Sequence, residues 1–137
     1  MSLKPKKTKF RKSFKGNINI NALERKVVNL AFGKIGIKIL RSVRIRANQL
    51  EALRKCLMKV LLGRSKFWLR IFPNIPATLK PIEVRMGKGK GNVEYWYGRM
   101  LAGRILFEFT GLSTMQSNEI LKLCKNKLSI PLKLVYK

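Results

Sequence analysis

Glycine and lysine alternate over residues 87–91, and this pattern suits close contact with phosphate groups. Glycine has no Cβ atom, so the backbone there can adopt a positive φ and approach a surface closely. Arg85 adds a guanidinium group that can form two parallel hydrogen bonds to one phosphate. The spacing fits neither glycine-rich signature for nucleoside phosphates, which leaves the phosphates of a polymer or a flexible surface turn whose lysines only favour solubility. The predicted contact residues of this loop are Lys80, Arg85, Met86, Gly87, Lys88, Gly89, Lys90 and Gly91.

The charge balance of the chain points to a polyanionic partner. Thirty-one lysines and arginines face six acids, all of them glutamates, and the 137 residues carry a formal charge of +25. A field of this size needs a polyanion to neutralise it, and nucleic acid is the most plausible one. Because 46% of the residues are hydrophobic, we expect one folded domain over residues 1–137 and not a disordered basic tail. The chain has no run of about 18 apolar residues, so we predict no membrane partner.

The first sixteen residues form a basic segment, here called the arm, with Phe10 and Phe14 between its cations. Its composition predicts an RNA-binding arm that is disordered alone and folds against RNA. An organelle-targeting peptide is the alternative, because such peptides are also basic and free of acids. The arm is rich in lysine, poor in serine and without an apolar helical face, which favours RNA binding. Its predicted contact residues are Lys4, Lys6, Lys7, Lys9, Arg11, Lys12 and Lys15.

The residue types that carry most enzyme chemistry are scarce. The chain has no histidine and no aspartate, and Cys56 and Cys124 lie in separate helical patterns. These residues make neither a usual zinc site nor a disulfide framework, so we expect both cysteines to pack as small apolar residues. Glu94 and Glu108 lie in strand-like segments, where we expect them to pair with lysines or to cap backbone groups. We therefore predict no catalytic residue, metal, cofactor or small-molecule substrate.

Two helices are predicted among the elements that position these segments. Leucines at three- and four-residue steps predict the first over residues 48–62, with Asn48 as N-cap. Its core face would contain Leu50, Leu53, Leu57, Val60 and Leu61, and its other faces carry the further predicted phosphate contacts Arg54, Lys55 and Lys59. The second helix is predicted over residues 114–128, opened by a capping box between Ser113 and Gln116. Its buried side would contain Ile120, Leu123, Cys124 and Leu128.

Alternating apolar residues predict strands before, between and after the helices. These segments are residues 31–46, 66–72, 94–100, 104–109 and 132–136, of which the first has the weakest pattern. The short connection 101–103 predicts a hairpin between the third and fourth of them. The order of the elements predicts an α+β fold, a single-domain α/β sandwich with a mainly antiparallel sheet and two helices.

Residues 73–91 form an unusually long connection, in which three prolines precede the glycine run. The prolines would stiffen its sides, while the glycines leave its tip pliable. Connections of this length without secondary structure are more often functional than accidental. We therefore predict an extended functional loop, in which residues 82–84 can form a short strand.

Two motifs resemble a known protein family. Residues 5–12 read Pro-Lys-Lys-Thr-Lys-Phe-Arg-Lys, and residues 84–96 read Val-Arg-Met-Gly-Lys-Gly-Lys-Gly-Asn-Val-Glu-Tyr-Trp. With dispersed matches in register from Phe32 to Leu128, they resemble the bacterial and organellar form of protein sixteen of the large ribosomal subunit. The resemblance implies a structural rRNA-binding protein that helps organise the aminoacyl-tRNA site, with a loop reaching towards the peptidyl-transferase region. Its implied partners are large-subunit rRNA, tRNA at or near that site and neighbouring ribosomal proteins.

The resemblance assigns roles to the residues already singled out. The cations of the arm and of the first helix become predicted rRNA contacts, and the glycine–lysine loop becomes a predicted contact of rRNA or tRNA. The alternative, for which charge alone suffices, is a free RNA chaperone or general nucleic-acid-binding protein. A phosphate-handling enzyme that uses the glycine–lysine loop would lack metal ligands and a base.

The sequence departs from that family in ways that bear on its origin. Residues 17–30 show little similarity, and Arg46 stands where the family commonly has a threonine that caps the first helix. The chain is also rich in isoleucine, leucine and lysine, whose codons are AT-rich. Such a bias is typical of genes kept in a mitochondrial genome, so we expect a mitochondrial ribosome, with a plastid or the bacterial cytoplasm as alternatives. An organelle-made protein needs no targeting peptide, and we expect none here.

Overall fold

The computed structural model describes residues 3–61, 63 and 65–137, which form seven strands and two helices. The strands are β1 Ile35–Ile39, β2 Val43–Arg46, β3 Lys66–Leu69, β4 Ile75–Leu79, β5 Asn92–Met100, β6 Ile105–Thr110 and β7 Leu132–Tyr136. The helices are α1 Ala47–Leu61 and α2 Thr114–Leu128. The predicted helix end at Leu62 and the first two residues of the arm lie outside the described residues.

All the strand pairs are antiparallel, which confirms the predicted α+β fold, although the strands form two sheets. The four-stranded sheet has the order β3-β6-β1-β7, and the three-stranded sheet has the order β2-β5-β4. β6 lies inside the larger sheet, where Phe107 pairs with Ile37 on one side and Leu69 on the other. β6 and β1 thus take the two inner positions of this sheet, with neighbours on both edges, and five of the six residues of β6 are buried.

One continuous core joins both sheets and both helices. It contains Phe107 from the larger sheet, Ile45 and Met100 from the smaller sheet, Leu53 from α1 and Ile120 from α2, each at most 2% exposed. The leucines of α1 recur on one face because three- and four-residue steps follow the helical repeat. The leucine face of α1 packs in this core, and the burial of its apolar surface stabilises the fold.

The two predicted helices differ in how well their starts were anticipated. α2 begins as predicted, since the Ser113 hydroxyl accepts from the Gln116 N–H and the Gln116 side chain accepts from the Ser113 N–H. The predicted start of α1 at Asn48 is wrong. The helix begins at Ala47, because the Gln49 side chain accepts from the Arg46 N–H at 3.0 Å. The missing cap is thus replaced by a glutamine inside the first turn.

Two of the predicted buried positions are less buried than expected. Val60, expected in the core face of α1, is 46% exposed, because it lies at the margin of the buried face, about 60° around the helix from Leu57 and about 100° from Leu61. Leu123 is half-buried and packs at the margin of the core. The remaining predicted core residues of both helices that the structure describes are buried.

The predicted hairpin between β5 and β6 is wrong. β5 pairs with β2 and β4, whereas β6 pairs with β1 and β3, so both edges of each strand are already occupied. Residues 101–103 instead carry the chain from one sheet to the other. The Gly103 N–H donates to the Ile39 carbonyl at 2.7 Å, and the Ile39 N–H donates to the Arg104 carbonyl at 2.9 Å. A short connection is compatible with a hairpin, but β5 and β6 pair with strands from other parts of the chain and not with each other.

Two further segments differ from the prediction. Residues 31–46 form two strands, β1 and β2, which belong to different sheets. The connection 73–91 is not wholly irregular, because β4 occupies its first part and Pro76 lies within that strand. β4 is at the edge of its sheet, where a residue without an N–H is tolerated. The predicted short strand at 82–84 is instead a turn closed by the Val84 N–H and the Pro81 carbonyl at 3.2 Å.

Candidate nucleic-acid interface

The irregular loop between β4 and β5 covers residues 80–91 and reverses direction at its glycines. Gly87, Lys88 and Gly89 have φ angles of 97°, 51° and 87°, three consecutive left-handed residues. A Cβ atom at Gly87 or Gly89 would meet no other atom within 4 Å. These two glycines are therefore required for backbone conformation and not for lack of space.

The base of the loop requires glycine for a different reason. A Cβ atom at Gly91 would lie 2.4 Å from the Leu79 carbonyl oxygen, where the two sides of the loop approach each other. The Lys80 ammonium group donates to the Gly87 carbonyl and ties the tip back to the base. The loop is consequently a closed structure with a narrow base and an exposed tip.

Cationic and apolar side chains are interspersed along the exposed part of this loop, which also contains the exposed Glu83. Arg85 and Lys88 are exposed, and Met86 is 96% exposed. Ile82, which the sequence did not indicate as a contact, is also fully exposed. Such a surface offers charge for phosphates and apolar groups for the faces of bases.

The arm and the loop contact each other, although they are nearly eighty residues apart in sequence. The Lys12 ammonium donates to the Lys90 carbonyl at 2.6 Å, and the Lys90 ammonium donates to the Ser13 carbonyl at 2.7 Å. Lys90 also lies 5.6 Å from the centroid of the Phe14 ring. Two of the predicted contact segments thus form one basic surface, here called the arm–loop surface.

The end of the arm also contacts the three-stranded sheet. The Arg44 guanidinium donates to the Gly16 carbonyl at 2.6 Å, and the Tyr97 hydroxyl donates to the Lys15 carbonyl at 3.3 Å. Residues 3–22 contain no helix or strand, so these contacts and those to the loop define the path of the arm. Its predicted disorder in the absence of RNA stays a prediction.

The other predicted contact cations differ in their surroundings. Lys4, Lys6, Lys7, Lys9 and Arg11 are exposed, as are Lys55 and Lys59 of α1. Arg54 is half-buried, and its guanidinium donates to the Met58 sulfur at 3.2 Å. No hydrogen bond or ion pair between described residues joins these α1 cations to the arm–loop surface. The α1 cations are therefore a separate patch.

Sequence reasoning missed four residues beside the arm–loop surface. The Arg46 guanidinium lies 4.5 Å from the centroid of Tyr95, and the Arg44 guanidinium lies 5.8 Å from that of Tyr97. Both arginines alternate with the apolar residues of β2, and the tyrosines alternate along β5. That alternation is the signal that these side chains share the face opposite the core.

Glu108 shows how the fold neutralises one of its cations. Its side chain is fully buried, and one oxygen accepts from the backbone N–H groups of Ala31, Phe32 and Gly33 at 3.1, 2.7 and 2.8 Å. The other oxygen accepts from the Arg70 guanidinium. Burial raises the pKa of Glu108, but these hydrogen bonds and the charge of Arg70 outweigh it, so the pKa is below its ordinary value. The expectation that Glu108 caps backbone groups is confirmed, and its ionic partner is an arginine instead of a lysine.

Ion pairing neutralises little of the positive charge. Between the residues that the structure describes, two ion pairs form, Arg70–Glu108 and Arg104–Glu24, the second at 3.2 Å. Glu94, which was expected to pair or to cap, is exposed on β5 and takes part in neither pair. The arm–loop surface therefore keeps its positive potential.

The cysteines provide neither a disulfide nor a metal site. Both are free, and burial, with a smaller effect of Cys56, raises the pKa of the Cys124 thiol to about 12. Cys124 packs in the core as expected, while Cys56 is half-buried. The described residues contain no cluster of histidine, cysteine or acidic side chains that could hold a metal ion. Neither helix within them is long and apolar enough to cross a membrane.

Comparison with known proteins identifies a family for the chain. The family model described as ribosomal protein L16p/L10e matches residues 5–135. A protein of Hyphomonas neptunium named large ribosomal subunit protein uL16 is 46% identical over 133 residues, 97% of this chain and 95% of that protein. Proteins of the same name from Mesorhizobium japonicum and Allorhizobium ampelinum are 47% and 43% identical over 128 and 133 residues. These alignments cover 93% and 97% of this chain and 92% and 96% of the two relatives.

Proposed function

The chain belongs to the ribosomal protein L16p/L10e family, and from this premise we propose that its arm–loop surface binds rRNA at the aminoacyl-tRNA site. The protein is a structural constituent of the large ribosomal subunit and not an enzyme. Its partners are rRNA and neighbouring ribosomal proteins. In the proposal, the arm holds rRNA, and the tip of the loop contacts rRNA or tRNA beside the peptidyl-transferase region.

The contact between the arm and the loop is the observation that carries this proposal. The hydrogen bonds from Lys12 to the Lys90 carbonyl and from Lys90 to the Ser13 carbonyl put the cations of both segments on one surface. No carboxylate among the described residues forms an ion pair with them. A continuous basic surface with exposed aromatic rings fits RNA, whose phosphates take the charges and whose unstacked bases take the rings.

The proposed location is the mitochondrial ribosome, with a plastid or the bacterial cytoplasm as the alternatives. The abundance of isoleucine, leucine and lysine favours an organelle gene, whereas the three relatives described above are bacterial. Mass spectrometry of ribosomes from purified mitochondria should detect the protein. Its recovery only from ribosomes outside the organelle would contradict this location.

Sedimentation through salt gradients tests whether the protein is built into the subunit. A ribosomal constituent should remain with large subunits at salt concentrations that remove a loosely bound protein. A free RNA chaperone should instead move to the top of the gradient as salt screens its contacts. Sequencing the RNA that copurifies with the protein would identify the partner directly, and large-subunit rRNA is the expected result.

The loop is expected to act after assembly. Ribosomes carrying Arg85→Ala or Gly89→Val should contain the protein, bind aminoacyl-tRNA weakly and elongate slowly. Alanine at position 85 removes the guanidinium group that can form two parallel hydrogen bonds to a phosphate. Valine at position 89 disfavours the left-handed backbone at the tip of the loop. Filter binding of aminoacyl-tRNA and single-turnover peptide formation measure the two effects.

Gly63→Val is a matched control for the glycine variant. Gly63 has a φ of 73° and, like Gly89, no atom within 4 Å of a Cβ position, but it lies outside the loop. The control should show the same backbone strain and normal tRNA binding. If ribosomes with both loop substitutions bound tRNA and elongated normally, the loop would be a solvated turn.

A further inference from the structure

A groove lies between the end of the arm and the outer face of the three-stranded sheet. Its volume is about 370 Å³, within the roughly 300–1,000 Å³ typical of small-ligand sites. Four cations and two tyrosines form most of its wall: Lys15, Arg44, Arg46, Lys90, Tyr95 and Tyr97. No carboxylate is among the described residues that line it. The groove therefore combines flat rings with unopposed positive charge.

The flat groups in this groove are unequally accessible. Tyr97 is buried, and its hydroxyl is already engaged with the Lys15 carbonyl. Tyr95 is half-buried, its ring is 6.4 Å from that of Tyr97, and Arg46 lies against it at 4.5 Å. Tyr95 and Arg46 thus offer a ring and a planar guanidinium, both of which stack on nucleic-acid bases.

Arg44 supplies an unused donor in the same place. Its terminal nitrogen donates to the Gly16 carbonyl at 2.6 Å, which fixes the guanidinium at the junction of arm and sheet. Its Nε is buried and has no acceptor among the residues that the structure describes. Buried donors are normally paired, so an acceptor from a ligand, such as a phosphate oxygen, would complete this site.

We propose that the groove holds one unstacked nucleotide of single-stranded rRNA, with its base on Tyr95 and Arg46 and its phosphate beside Arg44 and Lys15. The proposal rests on the proposed function and specifies which form of RNA this face recognises. A duplex keeps its bases stacked and cannot present one to the ring. An acidic peptide could neutralise the cations but has no flat group for the ring, so the groove fits it less well.

The test uses the full-length protein and a fluorescein-labelled single-stranded RNA of about 12 nucleotides, within the roughly 4–16 that such grooves cover. Tyr95→Leu should weaken binding roughly 5- to 150-fold, the loss expected for one base–aromatic stack. Tyr95→Phe keeps the ring and should bind like the wild type. Tyr136→Leu is the control, since Tyr136 is exposed on β7 in the other sheet.

Three further measurements separate the possible ligands. Binding of the same sequence as a duplex should not depend on Tyr95, because its bases are not available. Adenosine monophosphate and a polyglutamate peptide should compete far more weakly than the single strand. Melting curves must show that Tyr95→Leu is folded. Lys15→Gln provides a second variant, which removes a phosphate contact and should lower the salt slope by about 0.7 for single strands.

The proposal is overturned if Tyr95→Leu loses no more affinity than Tyr136→Leu, or if duplex binding falls equally. Tight, Tyr95-dependent binding of adenosine monophosphate would assign the groove to free nucleotides, and effective competition by polyglutamate would assign it to an acidic protein. Each of these outcomes leaves the proposed function intact if the variant still sediments with large subunits. Loss of the wild-type protein from those subunits would instead contradict the proposed function itself.

Discussion

Two arginines of this protein lie against aromatic rings, yet their surroundings give them different roles. Arg70 is 5.1 Å from the centroid of Phe32, and its charge is neutralised by the buried carboxylate of Glu108. Arg46 is 4.5 Å from Tyr95, in a groove that no described carboxylate lines. The residue types and ring distances are similar, so the presence or absence of an acid distinguishes the two sites. Arg70 stabilises the fold, whereas Arg46 remains available to a polyanion.

This difference shows why a count of lysines and arginines overstates the binding surface. Around Glu108 the charges and hydrogen bonds are satisfied within the fold, and salt screens such a buried pair weakly. On the arm–loop surface the cations repel one another until a polyanion neutralises them. The first site should therefore respond to mutation through stability, and the second through affinity.

The largest expected effect is the salt dependence of RNA binding. If about six to ten phosphates are contacted, raising salt from about 50 to 200 mM should lower the affinity for RNA roughly 10³- to 10⁵-fold. The free energy of unfolding should stay constant or rise over the same range, because salt screens the self-repulsion of the cations. Fluorescence anisotropy and urea unfolding measure the two quantities.

A substitution in the arm gives a second test of the salt dependence of RNA binding. Lys6 is exposed, so Lys6→Ala should lower the salt slope by no more than about one unit and leave the melting temperature unchanged. Affinity that hardly responds to salt would contradict the electrostatic interpretation of the arm–loop surface. Unfolding by Lys6→Ala would mean that the arm belongs to the stable fold.

Removing the buried charge of Glu108 should have the next largest effect. Glu108→Gln should lower the free energy of unfolding by about 3–5 kcal/mol, because Arg70 loses its charged partner inside the protein. RNA affinity of the folded fraction should change little. Urea unfolding measures the stability, with Glu119→Gln as the control, since Glu119 is exposed on α2 and should cost at most about 0.5 kcal/mol. If Glu108→Gln and Glu119→Gln lowered the free energy of unfolding equally, the ion pair of Glu108 with Arg70 would not stabilise the fold.

The smallest expected effect is the pH dependence that Glu108 contributes. Its pKa is lower in the folded protein than the ordinary value of 4.5, so the unfolded chain binds this proton more readily. The stabilisation is fully present above pH 4.5 and is lost as the pH falls through the folded pKa. Unfolding free energies of wild type and Glu108→Gln should therefore converge in acid, and a constant difference down to low pH would contradict this role.

The sequence alone determined the features that depend on neighbouring residues. Ser113 and Gln116 fixed the start of α2 because a capping box closes within one helical turn. The leucine repeat of α1 identified its buried face, since the period of the helix is a local property. The glycines at 87 and 89 indicated the left-handed turn because only a residue without Cβ adopts it at little cost.

The tertiary structure decided everything that depends on which distant segments meet. A three-residue connection between β5 and β6 permits a hairpin, but four other strands occupy their edges. Nothing near Glu108 in sequence indicates that the backbone at residues 31–33 donates to it, and nothing near Lys12 indicates Lys90. Local patterns fix the conformation and the faces of single elements, whereas the pairing of edges and charges depends on the packing energy of the whole chain. The groove at Tyr95 exists only because four separate segments of the chain, residues 13–15, 44–46, 76–78 and 90–97, meet there.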